Sequence, residues 1–149
     1  MLKIGDNLPA FSCQDDKGNI VSQDDFKGKN IVLFFYPRAN TPGCTAQACN
    51  LSENYERLTK AGYSIYGVSA DQVKHQSSFS NKFGFPYPLL ADTEKTLINS
   101  FGVWGFKKFM GKEYEGILRT TFVLNEEGVI TNVIEKVKTK DHTSQILDL

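Results

Sequence analysis

The chain has 149 residues, 40% hydrophobic and 23% charged, with 17 basic and 17 acidic side chains that cancel. That length suits one domain, 1–149, with a proper core, and zero net charge with scattered lysines and arginines excludes the basic stripe of a nucleic-acid binder. No run approaches the length of a membrane-spanning helix and the first residues lack the apolar stretch of a secretory signal, so the expectation is a cytoplasmic protein with reduced thiols and no membrane partner.

Residues 1–12 read as an irregular lead-in, with a short strand at 10–13. The run 15–19 is a turn signal between two extended pieces and predicts a small hairpin. Residues 24–28 suggest a brief helical turn closed by Gly28. The fully apolar run 31–36 reads as a buried strand. A helix over 42–60 follows, ending near Gly62, and then a strand over 63–69. Asp71 is placed to cap a helix running to Phe83 and stopped by Gly84. Pro86 and Pro88 precede a short strand at 89–90. Asp92 or Thr93 caps a helix reaching Phe101. Residues 103–118, rich in glycine and aromatics, read as an irregular loop. Strands at 120–124 and 129–135 form a hairpin around 126–128, and Asp141 caps a last helix, 142–149. Alternating strands and helices imply parallel pairing, and the last hairpin adds an antiparallel edge. The expected architecture is α/β: a thioredoxin-like central mixed sheet flanked by helices, with an N-terminal hairpin extension.

Chemistry concentrates between the strand at 31–36 and the helix after it. Thr41 suits an N-cap and Pro42 the first helical position. Cys44 then falls in the first turn, where unpaired N–H groups and the positive end of the helix dipole favour a thiolate. Cys44, Ala48, Leu51, Tyr55 and Leu58 share one stripe toward the core. Cys49 aligns instead with Glu53, Glu56 and Lys60 on a polar face. Five helical residues hold the two cysteine Cα atoms roughly 8–9 Å apart with about 140° of rotation between them. A disulfide needs them within ~7 Å. The two thiols therefore cannot bond unless the first turns unwind.

The string Pro-x-x-x-Thr-x-x-Cys from Pro37 to Cys44 resembles the active-site motif of peroxiredoxins. Its fuller form, from Tyr36 to Cys49, is similar to the bacterioferritin comigratory protein or peroxiredoxin Q class. Similarity continues through 101–105, 109–112 and 119–123, in order along essentially the whole chain. The resemblance implies that Cys44 is the peroxidatic cysteine and Cys49 the resolving one of the same chain. Thr41 would hydrogen-bond thiolate and peroxide, and Pro37 would shield the sulfenate. Arg119 would hold the thiolate charge, and Gly43, Thr41 and Arg119 would face the substrate. It further implies a peroxidase for hydrogen peroxide and organic hydroperoxides, recycled by a thioredoxin-like reductant, with no metal, haem or flavin. An intrachain resolving thiol allows a monomer, with a homodimer as the other option. Phe106 and Arg38 depart from the family pattern, where an acid and a lysine are common, and both lie beside the motif.

Other readings of the same residues are plainer. Cysteine is often a buried, inert filler; that suits Cys13, two residues after Phe11 at strand spacing, better than Cys44. Trp104, Phe106, Phe109 and Tyr114 read as a packed loop cluster, and His75 and His142 as solvated. A thiol–disulfide oxidoreductase is the first rival function, although C-x4-C is the wrong spacing for it. A non-catalytic redox sensor on the same fold is the second.

Overall fold

The computed structural model describes residues 1–149, the side chain of Phe109 excepted. Its centre is β3 (Asn30–Phe35), flanked in parallel by β4 (Tyr63–Ser69) and antiparallel by β8 (Thr120–Leu124). With β1 (Ser12–Asp15), β2 (Ile20–Ser22), β5 (Leu89–Ala91) and β9 (Ile130–Ile134), the sheet runs β2-β1-β5-β4-β3-β8-β9. The N-terminal hairpin is thus part of the main sheet, because β1 pairs antiparallel with β5.

Successive side chains of a strand point to opposite faces, and β3 divides the core accordingly. Ile31, Leu33 and Phe35 pack with Leu97, Phe101, Phe122 and Ile130. Val32, Phe34 and Tyr36 pack with Cys44, Ala48, Leu51, Leu58, Phe79 and Ile146 on the other side. Both faces are covered, which is why the strand reads as an unbroken apolar run. The second face carries α1 (Pro42–Glu53), α2 (Tyr55–Lys60), α3 (Val73–Phe83) and α5 (His142–Leu147), whereas α4 (Thr96–Phe101) lies on the first. Among the described residues, no helix is long and apolar enough to cross a membrane.

Several elements differ from the sequence expectation. The helix expected over 42–60 breaks at Asn54 (φ −107°, ψ 17°), whose side-chain amide donates to the Asn50 carbonyl at 2.8 Å. An asparagine that bonds locally to the backbone competes with the helical ladder. Asp71 does not cap α3. Gln72 stands at that position, and the Asp71 carboxylate accepts hydrogen bonds from Ser69 and the Ala39 N–H instead. Asp92 reaches the N-terminus of α4 from outside the helix, accepting from the Ile98 N–H at 2.8 Å, while Lys95 occupies the cap. Asp141 does stand at the start of α5, but without a side-chain capping bond.

The region 103–118 is not irregular. It forms a hairpin of β6 (Trp104–Phe109) and β7 (Lys112–Ile117) in continuous antiparallel register. Its two-residue turn, Met110 (φ 52°) and Gly111 (φ 78°), has positive φ at both positions, the turn whose twist matches paired strands. Met110 is an unusual residue there, so the turn left no clear mark in the sequence. Nor, among the described residues, is there a packed aromatic cluster: Phe106 is 75% exposed and Tyr114 47%, while Trp104 lies under the Lys95 ammonium, 4.3 Å from its ring centre. The Phe109 side chain lies outside the described residues.

His142, expected in solvent, is fully buried. One ring nitrogen is 2.8 Å from the Thr121 hydroxyl and the other 2.8 Å from the Gln145 side-chain oxygen. Burial lowers its pKa; the Gln145 bond works upward against this, and the Arg119 charge downward. The unfolded chain therefore takes up the proton more readily. Stability is whole above the free-histidine value of about 6.5 and falls as the pH drops through it toward the lower folded value. The melting temperature is expected to fall between pH 7.5 and 5.5, and to fall less in His142→Gln. Equal slopes in thermal melts of the two proteins would refute the assignment.

Candidate active site

Sheet register brings the site together. Tyr36, the residue after β3, donates one more backbone bond to the Val68 carbonyl at 3.0 Å. The chain then turns through 37–41, with Asn40 at φ 64°, and enters α1, whose first turn carries Cys44. Pro42 at the first helical position leaves no N–H to satisfy and presets φ. Next door, Phe35 pairs with Thr120 across β3 and β8, so Arg119, one residue earlier, stands beside the exit of β3.

From there its guanidinium reaches Cys44. Nη2 is 3.3 Å from Sγ, and Nη1 donates to Gln47 Oε1 at 2.6 Å. Gly43 makes room for it, since a Cβ at that position would lie 3.3 Å from Nη2. Cys44 is 1% exposed. It therefore sits at a helix N-terminus, shielded from bulk water, against a cation that never loses its charge and presents a planar fork of donors.

Cys44, Gly43 and Arg119 are thus in one place. Thr41 stands at the N-cap position but makes no capping bond; its hydroxyl donates to the Arg38 carbonyl at 2.8 Å, contrary to the expectation that it would cap. Half-buried Pro37 lines a cleft of about 360 Å³ with Trp104, Lys107, Tyr114 and Ile117. Cys49 is not on a purely polar face. It is half-buried at the edge of the second core cluster, and burial raises its pKa, with the Glu53 charge adding to the rise. Neither Cys44 nor Cys49 is disulfide-bonded, and α1 is continuous between them. Cys13 lies across the sheet, packed against the first cluster. Burial, with Asp92 and Asp15 nearby, pushes its thiol up to about 12. Among the described residues, no group of three or more His, Cys, Asp or Glu is disposed to hold a metal ion.

Two neighbours of the site were missed in the sequence. Gln47 is fully buried and its Nε2 has no hydrogen-bond partner among the described residues. A glutamine one turn past Cys44, next to the apolar stripe, was a legible oddity. Lys107 is half-buried and donates from Nζ to the Ile117 carbonyl at 2.6 Å. Burial and the Arg119 charge lower its pKa, and negative charge at Cys44 acts in the opposite direction. Only the hairpin, unforeseen in the sequence, brings that lysine to the cleft.

A model of the AhpC/TSA family matches residues 4–133. Peroxiredoxin Bcp of Escherichia coli K12 is 42% identical over 147 residues, covering 99% of this chain and 94% of its own. Peroxiredoxin Bcp of Bacillus subtilis 168 is 41% identical over 146 residues, covering 98% and 93%. Among solved structures, the bacterioferritin comigratory protein of Xanthomonas campestris matches with a TM-score of 0.86 at 34% identity, over 93% of this chain and 88% of its own. A thioredoxin-like sheet that sets a helix-N-terminal cysteine under an arginine is the framework of a thiol-dependent peroxidase, and the chain belongs to the AhpC/TSA family of peroxiredoxins. Within that family its relatives are the Bcp and peroxiredoxin Q proteins, the class that the Tyr36–Cys49 motif resembles.

Proposed function

We propose that Cys44 is the peroxidatic nucleophile of a monomeric, cytoplasmic enzyme in which residues 1–149 act as one unit. The observation that carries the proposal is the 3.3 Å contact between Arg119 Nη2 and Cys44 Sγ at the start of α1. The thiolate attacks the outer oxygen of a hydroperoxide. The O–O bond breaks, Cys44 becomes a sulfenic acid, and the departing oxygen takes up a proton and leaves as water or an alcohol. Arg119 holds charge that moves from sulfur to the departing oxygen. Fixed donors aimed at such charge are usually the largest catalytic contribution. Gly43 leaves the guanidinium room. The Thr41 hydroxyl, held by the Arg38 carbonyl, keeps lone pairs to accept the peroxide O–H. Pro37 shields the sulfenate.

Cys49 then condenses with the sulfenic acid, forming the disulfide and releasing water. The helix must open first, and the structure favours its front end. The Tyr87 hydroxyl holds the Ala48 carbonyl at 2.7 Å, and the Asn50 side chain ties α1 to α5 through the Thr143 N–H at 2.8 Å. The first turn has no comparable clamp among the described residues, beyond Arg119. A thioredoxin-like dithiol restores both thiols. Hydrogen peroxide and organic hydroperoxides are the substrates; the Xanthomonas protein's alkyl peroxide reduction supports the second class.

Intact-mass analysis after one equivalent of peroxide tests the scheme. A monomer lighter by two hydrogens, with a Cys44–Cys49 crosslink in its digest, is expected. A crosslink through Cys13, or one between two chains, would overturn the resolving assignment.

A further inference from the structure

Resting on that scheme, one residue outside the motif has a further role: we propose that Asp71 is a positioning residue that latches the loop bearing Cys44 and thereby sets how a sulfenic acid at Cys44 is partitioned between its two fates. The loop leaves the sheet at the Tyr36–Val68 bond and enters the helix at the Thr45 N–H to Thr41 carbonyl bond. Among the described residues, one hydrogen bond ties segment 37–41 to another part of the fold. It runs from the Ala39 N–H to Asp71 Oδ2, at 2.8 Å.

The acceptor is itself fixed. Ser69 Oγ donates to the same Asp71 oxygen at 2.7 Å and accepts from Gln76 Nε2 at 2.8 Å. Gln76 Nε2 also donates to the Leu90 carbonyl at 2.9 Å, and its Oε1 accepts from the Tyr36 hydroxyl. Tyr36, Ser69 and Gln76 are fully buried. The relay thus runs from β3 through α3 and β4 to the loop, and holds the carboxylate where the Ala39 N–H needs it. A charge-assisted bond to a fixed acceptor is among the stronger kinds.

A sulfenic acid at Cys44 can condense with the Cys49 thiol, releasing water, which requires the front of α1 to unwind. It can instead meet a second hydroperoxide in the folded site. That transfers an oxygen to sulfur, giving a sulfinic acid and one more water or alcohol. The latch opposes movement of the segment leading into Cys44, so it favours the folded form. It therefore helps the first oxidation and slows capture by Cys49.

The test is the ratio of disulfide to sulfinic acid, read by intact mass over a hydroperoxide series, beside amide exchange of residues 43–47. Asp71→Ala is expected to lower the sulfinic share at a given peroxide concentration and to speed exchange, each by about tenfold, the order that loss of one charge-assisted bond allows. Asp71→Asn keeps an acceptor oxygen but loses the charge, and is expected to fall between wild type and Asp71→Ala. Should Asp71→Ala not fold, Ser69→Ala, which frees the same carboxylate, is expected to shift the ratio the same way by less. A residue that merely stabilised the fold would lower the melting temperature and leave the ratio unchanged. An unchanged or rising sulfinic share, or equal effects in the Ala and Asn variants, would overturn the proposal. Absence of any disulfide in the wild-type chain would overturn the enzymatic scheme itself, an outcome distinct from a wild-type disulfide with an unmoved ratio.

Discussion

Arg119→Met is expected to slow the reaction of Cys44 with hydrogen peroxide by about 10²–10³-fold, the cost typical of removing one preorganised donor from a site of developing charge. Methionine keeps much of the length and apolar bulk, so the packing of β8 against β3 survives while the charge and both hydrogen bonds go. Those bonds do different things. The 3.3 Å contact from Nη2 acts on the sulfur, and the 2.6 Å bond from Nη1 to Gln47 fixes the plane of the guanidinium. Arg119→Lys should therefore recover only part of the loss, because a single ammonium cannot meet both Gln47 and Cys44 in that geometry. Stopped-flow measurement of peroxide consumption under single-turnover conditions separates this step from reduction of the disulfide. Wild-type rates in Arg119→Met would sink the role given to the arginine.

How much of this was visible before the structure depends on how local each signal is. The strand into helix α1, the burial of Cys44 and the spacing that keeps Cys49 away from it all follow from neighbours within a few residues. Arg119 lies 75 positions from Cys44, and no periodicity links them; it was found only because the surrounding string resembles a known motif. Gln47 and Asp71 fell in the same gap. Gln47 is a polar residue beside an apolar stripe and Asp71 reads as a helix cap, but each acquires its meaning from a partner that the fold supplies, Arg119 for one and Ala39 for the other. His142 was misplaced for the same reason, since the short polar helix around it gives no hint that Thr121 waits across the core. The hairpin over Trp104–Ile117 failed differently. Its turn is set by backbone angles that Met110 adopts against its own preference, so the usual residue signature was missing.

Cys49→Ser should leave the first encounter with peroxide intact and abolish steady turnover with a dithiol. One equivalent of peroxide is consumed per chain, after which sulfenic acid accumulates and excess peroxide carries it to the sulfinic acid. Serine is nearly isosteric, and position 49 lies at the rim of the core, so the fold is not expected to suffer. Rescue by Cys13 is barred twice. It packs on the opposite face of the sheet from Cys44, and burial keeps its thiol protonated far above neutral pH, near 12. Cys49 is also restrained at rest, since burial and the neighbouring Glu53 raise its pKa while α1 is intact. Opening confined to the first turn carries Cys44 toward Cys49 while the Tyr87 and Asn50 bonds hold residues 48–50 in place. Turnover in the wild-type chain should therefore stop when the first turn of α1 is prevented from opening. Steady turnover of Cys49→Ser with the same dithiol, at a rate near wild type, would show that reduction bypasses the second cysteine and would break the link between helix opening and recycling.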